Sequence, residues 1–311
     1  MLPFSHDTRV LVVDDDQLFL DSFEYRYHTV LRCQTEANPL TAIKLLQDNN
    51  AAWWHLWQKS KCSVAQYPDA EQQPGRNPLR ALVQEPSRAD VFGVIIVDYA
   101  MPVMSGVDLC RALKSVPARK IMLTGQAQES TAISAFNEGL IDCFLTKQAS
   151  DLPTKLVQEV TRLREVFFSQ QSAVLKAHFE LHADVVSRDA SLKAITSELV
   201  RLGSTEHYFW DEPPGILVLG RDGNRYLLVI FSVDDMRAQI EVAEAAGAPV
   251  ELVERLRLRD CIAWFPTAGG YFDLEYAGTW QNFLAPAEQI EQDGYWLATF
   301  VVHDGRLTRA G

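Results

Sequence analysis

Three consecutive aspartates, Asp14, Asp15 and Asp16, follow the apolar stretch "VLVV" at residues 10–13. Carboxylates a few ångströms apart repel, and each resists ionisation of its neighbours. A cation, or a phosphate carrying its metal, offsets that cost. Three more reactive side chains directly follow short apolar runs: Asp98 in "IIVDYAMPVMSG", Thr124 in "IMLTGQ" and Lys147 in "FLTKQ". As a set these groups suit phosphoryl transfer onto a carboxylate. One carboxylate acts as nucleophile and becomes an aspartyl phosphate. Mg²⁺ takes oxygen ligands, one or two of them carboxylates, with phosphate oxygens and water completing the shell. A lysine ammonium neutralises phosphate oxygens, and a hydroxyl beside it hydrogen-bonds to them. Taken singly, each residue has a plainer use: aspartates cap helices after parallel strands, and Asp14 alone reads that way. The joint pattern is what points to chemistry.

For these groups to meet, the apolar runs must be strands of one parallel sheet, whose carboxyl ends form the usual ligand edge. The pattern predicts strands at 9–13, 32–35, 91–97, 119–124 and 142–146. Between them lie helical patterns at 17–30, at 38–46 with Asn38 as N-cap and Pro39 at the first helical position, at 106–114, and at 129–139 closed by Gly139. A long helix begins at Leu152. This alternation argues for a parallel sheet wrapped by helices on both sides. One interval is too long: 82 residues separate Asp15 from Asp98, where two β-α steps need about 40. The excess falls at 49–90. Its first part extends the preceding helix and its Gln-, Pro- and Asn-rich middle reads as loop. Trp53, Trp54 and Trp57 are expected to pack on the domain and close this insertion, with an exposed docking patch as the alternative.

The helix from 152 carries Val160, Leu163, Phe167, Val174, Leu181 and Val185 near a 3.5-residue spacing, interrupted by Gln171 and His178. That stripe suits a linker helix or a marginal coiled coil, and it motivates a homodimer. His178 and His182 lie four apart; without a third ligand they read as solvated side chains before a metal pair. A second helix is predicted at 190–203. The remainder changes to an α+β pattern: strands around the "RDGN" turn within 215–232, helices at 234–247 and 249–260, and strands at "CIAWFP", "YFDLEYAG" and 295–303. His207, Asp211 and Glu212 in "EHYFWDEPPG" are candidates for a further site, though strand-edge and loop roles are simpler. "GGYF" (269–272) lacks the acidic pair of cyclic-dinucleotide synthesis.

Net charge is −12 over 311 residues, and residues 184–311 carry 20 acidic against 11 basic groups. Such a half is a poor match for a nucleic-acid backbone. The five cysteines, Cys33, Cys62, Cys110, Cys143 and Cys261, are scattered and form no metal or disulfide framework. No apolar run approaches the roughly 18 residues of a membrane span, and "MLPFSHDTRV" lacks a secretory layout. A cytoplasmic location is expected.

Residues 9 to about 165 resemble the receiver domain of two-component response regulators, through "VLVVDDD", "VDYAMPVMSG", "MLTG" and "FLTK" in that order at strand ends. The resemblance implies a flavodoxin-like, doubly wound, five-stranded parallel sheet of order 2-1-3-4-5. It implies Asp98 as phosphoacceptor, taking its phosphoryl group from a histidine kinase or phosphotransfer protein. Asp15 and Asp98 would bind Mg²⁺ directly, Asp14 through water, and the Ala100 carbonyl would add a ligand. Lys147 and Thr124 would contact the phosphoryl group, and Phe144 stands where the family has its aromatic switch residue. Asp16 would cap or flank the first helix. Gln148 stands where a proline usually follows the lysine, and Gln126 falls where a residue influences phosphate lifetime. The expected organisation is a receiver domain over 1–165, a helical linker over 166–203 and an α+β output domain over 204–311. The favoured output binds a protein partner; the alternatives are an enzyme or small-ligand module of unrecognised type and, against the charge, a DNA-binding module.

Overall fold

The computed structural model describes residues 1–65, 79–125, 129–173, 185–290, 294–303 and 306–309; the side chains of 54, 56–65, 129, 268, 306 and 309 also lie outside that description. The chain forms two compact units. One is built on His6–Gln66 and Arg80–Ala173, the other on Val174–Gly311 together with Met1–Ser5.

A two-residue strand, β1 (Phe4–Ser5), comes first and belongs to the second unit. Then follow β2 (Arg9–Val13), α1 (Gln17–Tyr27), β3 (Cys33–Glu36), α2 (Pro39–Ala65), α3 (Leu79–Gln84), β4 (Phe92–Asp98), α4 (Gly106–Ala112), β5 (Arg119–Thr124), α5 (Glu129–Asn137), β6 (Cys143–Thr146) and α6 (Leu152–Ser172). The five strands of this unit pair in parallel in the order β3-β2-β4-β5-β6, the expected 2-1-3-4-5. The near-continuous apolar runs follow from burial on both faces. Val10, Val12, Val94, Ile96, Ile121 and Leu123 meet Leu20 and Phe23 of α1 and Leu156, Val160 and Leu163 of α6. The alternate residues Leu11, Val13, Ile95, Val97 and Met122 meet Ala42 and Leu46 of α2, Leu109 of α4 and Ala132 of α5. Successive strand residues thus serve opposite layers.

The insertion begins as helix. α2 runs 27 residues, through Asn49 and Asn50. Asn is a weak helix former, but Asn49 is used elsewhere: its Nδ2 donates to the Asp90 carbonyl at 2.9 Å and its Oδ1 accepts from the Phe92 N–H at 3.0 Å, clasping the start of β4. Trp53 is buried, its ring 6.3 Å from Phe167 of α6 and 5.6 Å from His6. It packs on the domain, while the side chains of Trp54 and Trp57 lie outside the described residues. The stripe on α6 is spent within this unit: Val160, Leu163 and Phe167 are all buried there. A coiled coil with a second copy cannot use those three without unpacking the layer. Val174, His178, Leu181 and His182 lie outside the described residues.

The second unit contains α7 (Asp189–Arg201), β7 (Ser204–Asp211), β8 (Pro214–Gly220), β9 (Arg225–Ser232), α8 (Val233–Ala245), α9 (Val250–Leu258), β10 (Cys261–Ala263), β11 (Leu284–Gln289), β12 (Tyr295–His303) and β13 (Arg306–Arg309). Its sheet is antiparallel, ordered β1-β7-β8-β9-β12-β11-β10, with β13 also on β12. The "RDGN" hairpin and the helices after β9 form where expected. "YFDLEYAG" does not form a strand. It makes a short 3-10 turn at Leu274–Tyr276 that starts with Asp273 accepting from the Glu275 N–H. Its aromatic alternation reflects a cluster in which Phe265 meets Phe272, Tyr276 and Phe283 at 5.4, 5.7 and 5.3 Å. "GGYF" has a packing cause: a Cβ on Gly270, at φ +74°, would lie 2.4 Å from the Trp264 ring.

Candidate functional site

The carboxyl ends of β2, β4, β5 and β6 line one edge of the parallel sheet, and backbone hydrogen bonds continue the ladder past the strands. The Asp14 N–H donates to the Glu36 carbonyl at 3.3 Å, Tyr99 N–H to Leu123 at 3.0 Å and Lys147 N–H to Thr124 at 2.9 Å. Backbone pairing therefore reaches the residues that carry the candidate chemistry.

Four of the candidate residues come together directly. Lys147 Nζ lies 2.6 Å from Asp14 Oδ2 and 2.6 Å from Asp98 Oδ1. Asp98 Oδ2 accepts the Ala100 N–H at 2.8 Å, and Asp14 Oδ1 accepts the Asp16 N–H at 3.0 Å. Asp14 and Asp98 are buried, whereas Asp15 is exposed beside them. One oxygen from each of Asp14, Asp15 and Asp98 lies within 4.8 Å of the others. Asp16 turns the other way and caps α1, accepting from the N–H groups of Leu18 and Phe19 at 2.9 and 3.3 Å.

The electrostatics follow from this crowding. Burial raises the Asp14 pKa, and the Asp98 charge adds to the rise; the hydrogen bond from Lys147 opposes it without prevailing. Burial works against the Lys147 ammonium, but its hydrogen bonds to Asp14 and Asp98 win, so its pKa is raised. Three carboxylates facing one ammonium leave an excess of negative charge, with all three offering hard oxygen atoms to one point. That donor set fits Mg²⁺.

Local sequence makes the loop after β4 possible. A Cβ on Gly106 would lie 2.2 Å from the Asp98 carbonyl oxygen, and the Gly106 N–H donates to Tyr99 at 2.9 Å. Only glycine lets α4 start this close to the strand end. Thr124 is fully buried, and its Oγ1 has no hydrogen-bond partner among the described residues. Phe144 is half-buried against the layer formed with α2, α4 and α5. In register, Thr124 sits opposite Thr146 and Met122 opposite Phe144. Thr124 and Phe144 therefore occupy alternate positions on one face, two steps apart.

The residues from "EHYFWDEPPG" do not converge. His207 and Asp211 lie on β7, four residues and roughly 13 Å apart. His207 Nε2 is hydrogen-bonded to the Leu2 carbonyl at 3.1 Å, and the Glu212 carbonyl accepts from Trp210 Nε1 at 3.2 Å. Gln126 lies outside the described residues. Sequence reasoning missed Phe19: the Lys147 ammonium lies 4.4 Å from the centroid of its ring. The available signal was its place on the first turn of α1, directly after the acidic run.

Residues 66–161 match the family model of the response regulator receiver domain. The chain carries a receiver domain. The matched stretch contains Asp98, Thr124 and Lys147; Asp14 and Asp15 precede it, separated from it in sequence by α1, β3 and α2, and the fold returns them to the same edge. Receiver domains act in two-component signalling, receive their phosphoryl group from a histidine kinase or phosphotransfer protein, and bind Mg²⁺ at an acidic site. Among solved structures, the Legionella pneumophila response regulator LqsR is 23% identical, with 98% of this chain and 92% of that chain covered and a TM-score of 0.70. That likeness extends the shared fold across both units. An adenylate cyclase from Rhodopirellula baltica is 19% identical over 57% of this chain and 98% of its own, with a TM-score of 0.32. A receiver domain protein from Clostridium thermocellum is 18% identical over 54% of this chain and 98% of its own, also with a TM-score of 0.32. No curated protein sequence matches the chain. No helix among the described residues is long and apolar enough to cross a membrane.

Proposed function

We propose that the chain is a two-component response regulator in which Asp98 accepts a phosphoryl group with Mg²⁺ and thereby switches a non-DNA-binding output domain. The observation that carries this is the Asp98 carboxylate itself. It ends β4, its Oδ2 is held by the Ala100 N–H, its Oδ1 is held by Lys147, and Asp14 and Asp15 stand within metal-sharing distance. In the transfer, an Asp98 oxygen bonds to phosphorus as the P–N bond of the donor's phosphohistidine breaks. The bonding pair leaves on the imidazole nitrogen. Asp14, Asp15 and Asp98, with the Ala100 carbonyl, would hold Mg²⁺, which supplies charge neutralisation at the phosphoryl oxygens. Lys147 adds the second positive charge, and the Thr124 hydroxyl gains a partner in the new phosphoryl oxygen.

The switch couples Thr124 to Phe144. Movement of Thr124 toward the phosphoryl group vacates volume on the face it shares with Phe144, and the half-buried ring turns inward to fill it. The proposed domain plan is a receiver over 1–165, a linker over 166–203 and an output domain over 204–311, with the strand at Phe4–Ser5 lent to the sheet of the output domain. The acidic balance of 184–311 favours a protein partner for the output; an enzyme or small-ligand module is the alternative, and DNA is disfavoured. A second copy of the chain is proposed as a further partner, supported by exposed Ile133 and Phe136 on α5, and the location is proposed as cytoplasmic. The test is incubation with acetyl phosphate and Mg²⁺ followed by mass analysis. One added phosphate is expected in the parent protein and none in Asp98→Asn; equal labelling of both removes Asp98 as acceptor.

A further inference from the structure

We propose that Phe19 is a positioning residue for the phosphoryl transfer: its ring holds the Lys147 ammonium on the α1 side of the site, between Asp14 and Asp98. The inference rests on the reading of Asp98 as acceptor. An ammonium offers three N–H donors. Two are taken by Asp14 Oδ2 and Asp98 Oδ1, each at 2.6 Å. The ring centroid lies 4.4 Å from Nζ, so the negative face of the ring attracts the remaining positive charge. This contact restrains the ammonium without adding a hydrogen-bond acceptor. A carboxylate or amide in its place would also hold Lys147, but it would compete with the oxygens of an incoming phosphoryl group, and a carboxylate would repel them.

The ring is itself fixed. The Phe19 N–H reaches the Asp16 cap at 3.3 Å. Its ring lies 6.0 Å from that of Phe23, which lies 4.5 Å from that of Tyr27. These residues recur every four positions and so share one stripe of α1. That stripe is itself committed to the sheet: Phe23 and Tyr27 are buried with Val10 and Val12, and Phe19 packs against the same cluster. The lysine arrives after β6 on a long, freely rotating stem, and its side chain is 24% exposed. A rigid wall on the α1 side removes rotamers that would carry the ammonium out to solvent. Lys147 is thus positioned from two elements: β6 delivers the stem, and α1 fixes where the charge rests.

Two variants separate the ring's electrostatics from its bulk. Phe19→Leu keeps an apolar side chain and removes the aromatic face; Phe19→Tyr keeps the face. Labelling of Asp98 by acetyl phosphate with Mg²⁺ is measured, in which the phosphorus–oxygen bond of the donor breaks and acetate leaves. The Lys147 ε-methylene proton shift is measured separately in the metal-free full-length protein, because a ring face shields protons lying over it. Phe19→Leu is expected to slow labelling about fivefold, the size of a partly exposed cation–π contact, and to return the methylene shift to its ordinary position. Phe19→Tyr is expected to retain both. In a Lys147→Met background Phe19→Leu adds no further loss. An ordinary methylene shift in the parent protein overturns the proposal, and this needs no variant to fold. So does Phe19→Leu labelling at the parent rate, or Phe19→Tyr as slow as Phe19→Leu. If the parent protein itself takes no phosphate, the acceptor reading fails, while the methylene shift still decides whether Phe19 holds the lysine.

Discussion

Replacing Lys147 with methionine keeps most of the side-chain length and removes its charge. In the parent protein that charge lies 2.6 Å from oxygens of both Asp14 and Asp98, whose side chains are only 1% and 9% exposed. Without it, two buried carboxylates face each other uncompensated. Two unit charges about 4 Å apart interact by roughly 4 kcal/mol at an effective dielectric near 20, and leaving one side of a buried pair behind costs about 3–5 kcal/mol. Two effects reduce this. The lysine is partly open to solvent, and the raised pKa of Asp14 lets it take up a proton in place of its lost partner. We expect a net loss of ~2–4 kcal/mol in the absence of divalent cations, equivalent to about 5–15 °C in Tm for a unit of this size. Mg²⁺ then takes over the lysine's electrostatic duty. The variant should gain more stability from saturating Mg²⁺ than the parent does, closing much of the gap. Thermal unfolding in EDTA and in Mg²⁺, with amide exchange of β2, β4 and β5 as the local readout, measures both quantities. Lys147→Met melting with the parent in EDTA, or gaining no more from Mg²⁺ than the parent, refutes the argument that Lys147 compensates this cluster.

Gly106→Ala forces a Cβ to within 2.2 Å of the Asp98 carbonyl oxygen; it should lower stability by about 2 kcal/mol and slow labelling at Asp98, read from urea midpoints and phosphate incorporation. Thr124→Ala deletes a buried hydroxyl with no partner among the described residues, so stability should change by less than about 1 kcal/mol. Asp98 should still be labelled, but the phosphorylation-dependent change in hydrogen exchange along α6 should vanish; an unchanged response in the variant rejects the Thr124–Phe144 route. His207 has its pKa pushed down to about 4 by burial. Because the unfolded chain protonates near pH 6.5, the unfolded state binds more protons between those values, and stability falls as pH drops from about 6.5 to 4. His207→Gln should recover up to about 3 kcal/mol of that loss, seen as a shallower pH dependence of the second unit's urea midpoint; parallel curves for the two proteins reject the assignment.

The parallel unit was legible because each strand announces itself twice. "RVLVV" and "RKIMLT" are apolar runs of strand length; the first is followed directly by Asp14 and the second ends on Thr124, residues whose chemistry marks the sheet edge. Their bounds, 9–13 and 119–124, coincide with β2 and β5. That α2 continues past residue 46 was read, but how far it runs was not, because what carries a helix through two asparagines is the long-range clasp between Asn49 and the start of β4. The second unit was read less completely for the same kind of reason. β1 is two residues long, β7 was read as strand-edge polars, β11 contains Pro286, and β13 is only four residues long; no local pattern distinguishes such segments from loop. Aromatic alternation at 271–278 misled because a cluster of rings needs burial and not extended backbone. At the site, the identities of Asp14, Asp15, Asp98, Thr124 and Lys147 could be read from strand ends. The role of Phe19 could not, since it depends on how far α1 is rotated about its axis.

The first strand has a bearing on how the protein is made. Phe4 and Ser5 pair with Tyr208 and His207, and Phe4 stacks on Tyr208 with ring centroids 6.5 Å apart. The residues that begin the parallel unit follow immediately, at His6. On the ribosome, the partner of β1 therefore emerges some 200 residues after β1 itself, a delay of about 10–40 s at ordinary synthesis rates. The parallel unit has its five described strands in hand by Thr146 and can close while β1 still waits for its partner. The second sheet draws on distant stretches of the chain: its edge strand β1 precedes the parallel unit, and β7 to β13 follow it. Phe4 has no strand to cover it until β7 is made, so a chain arrested before residue 204 would leave this apolar side chain exposed beside an already closed parallel unit.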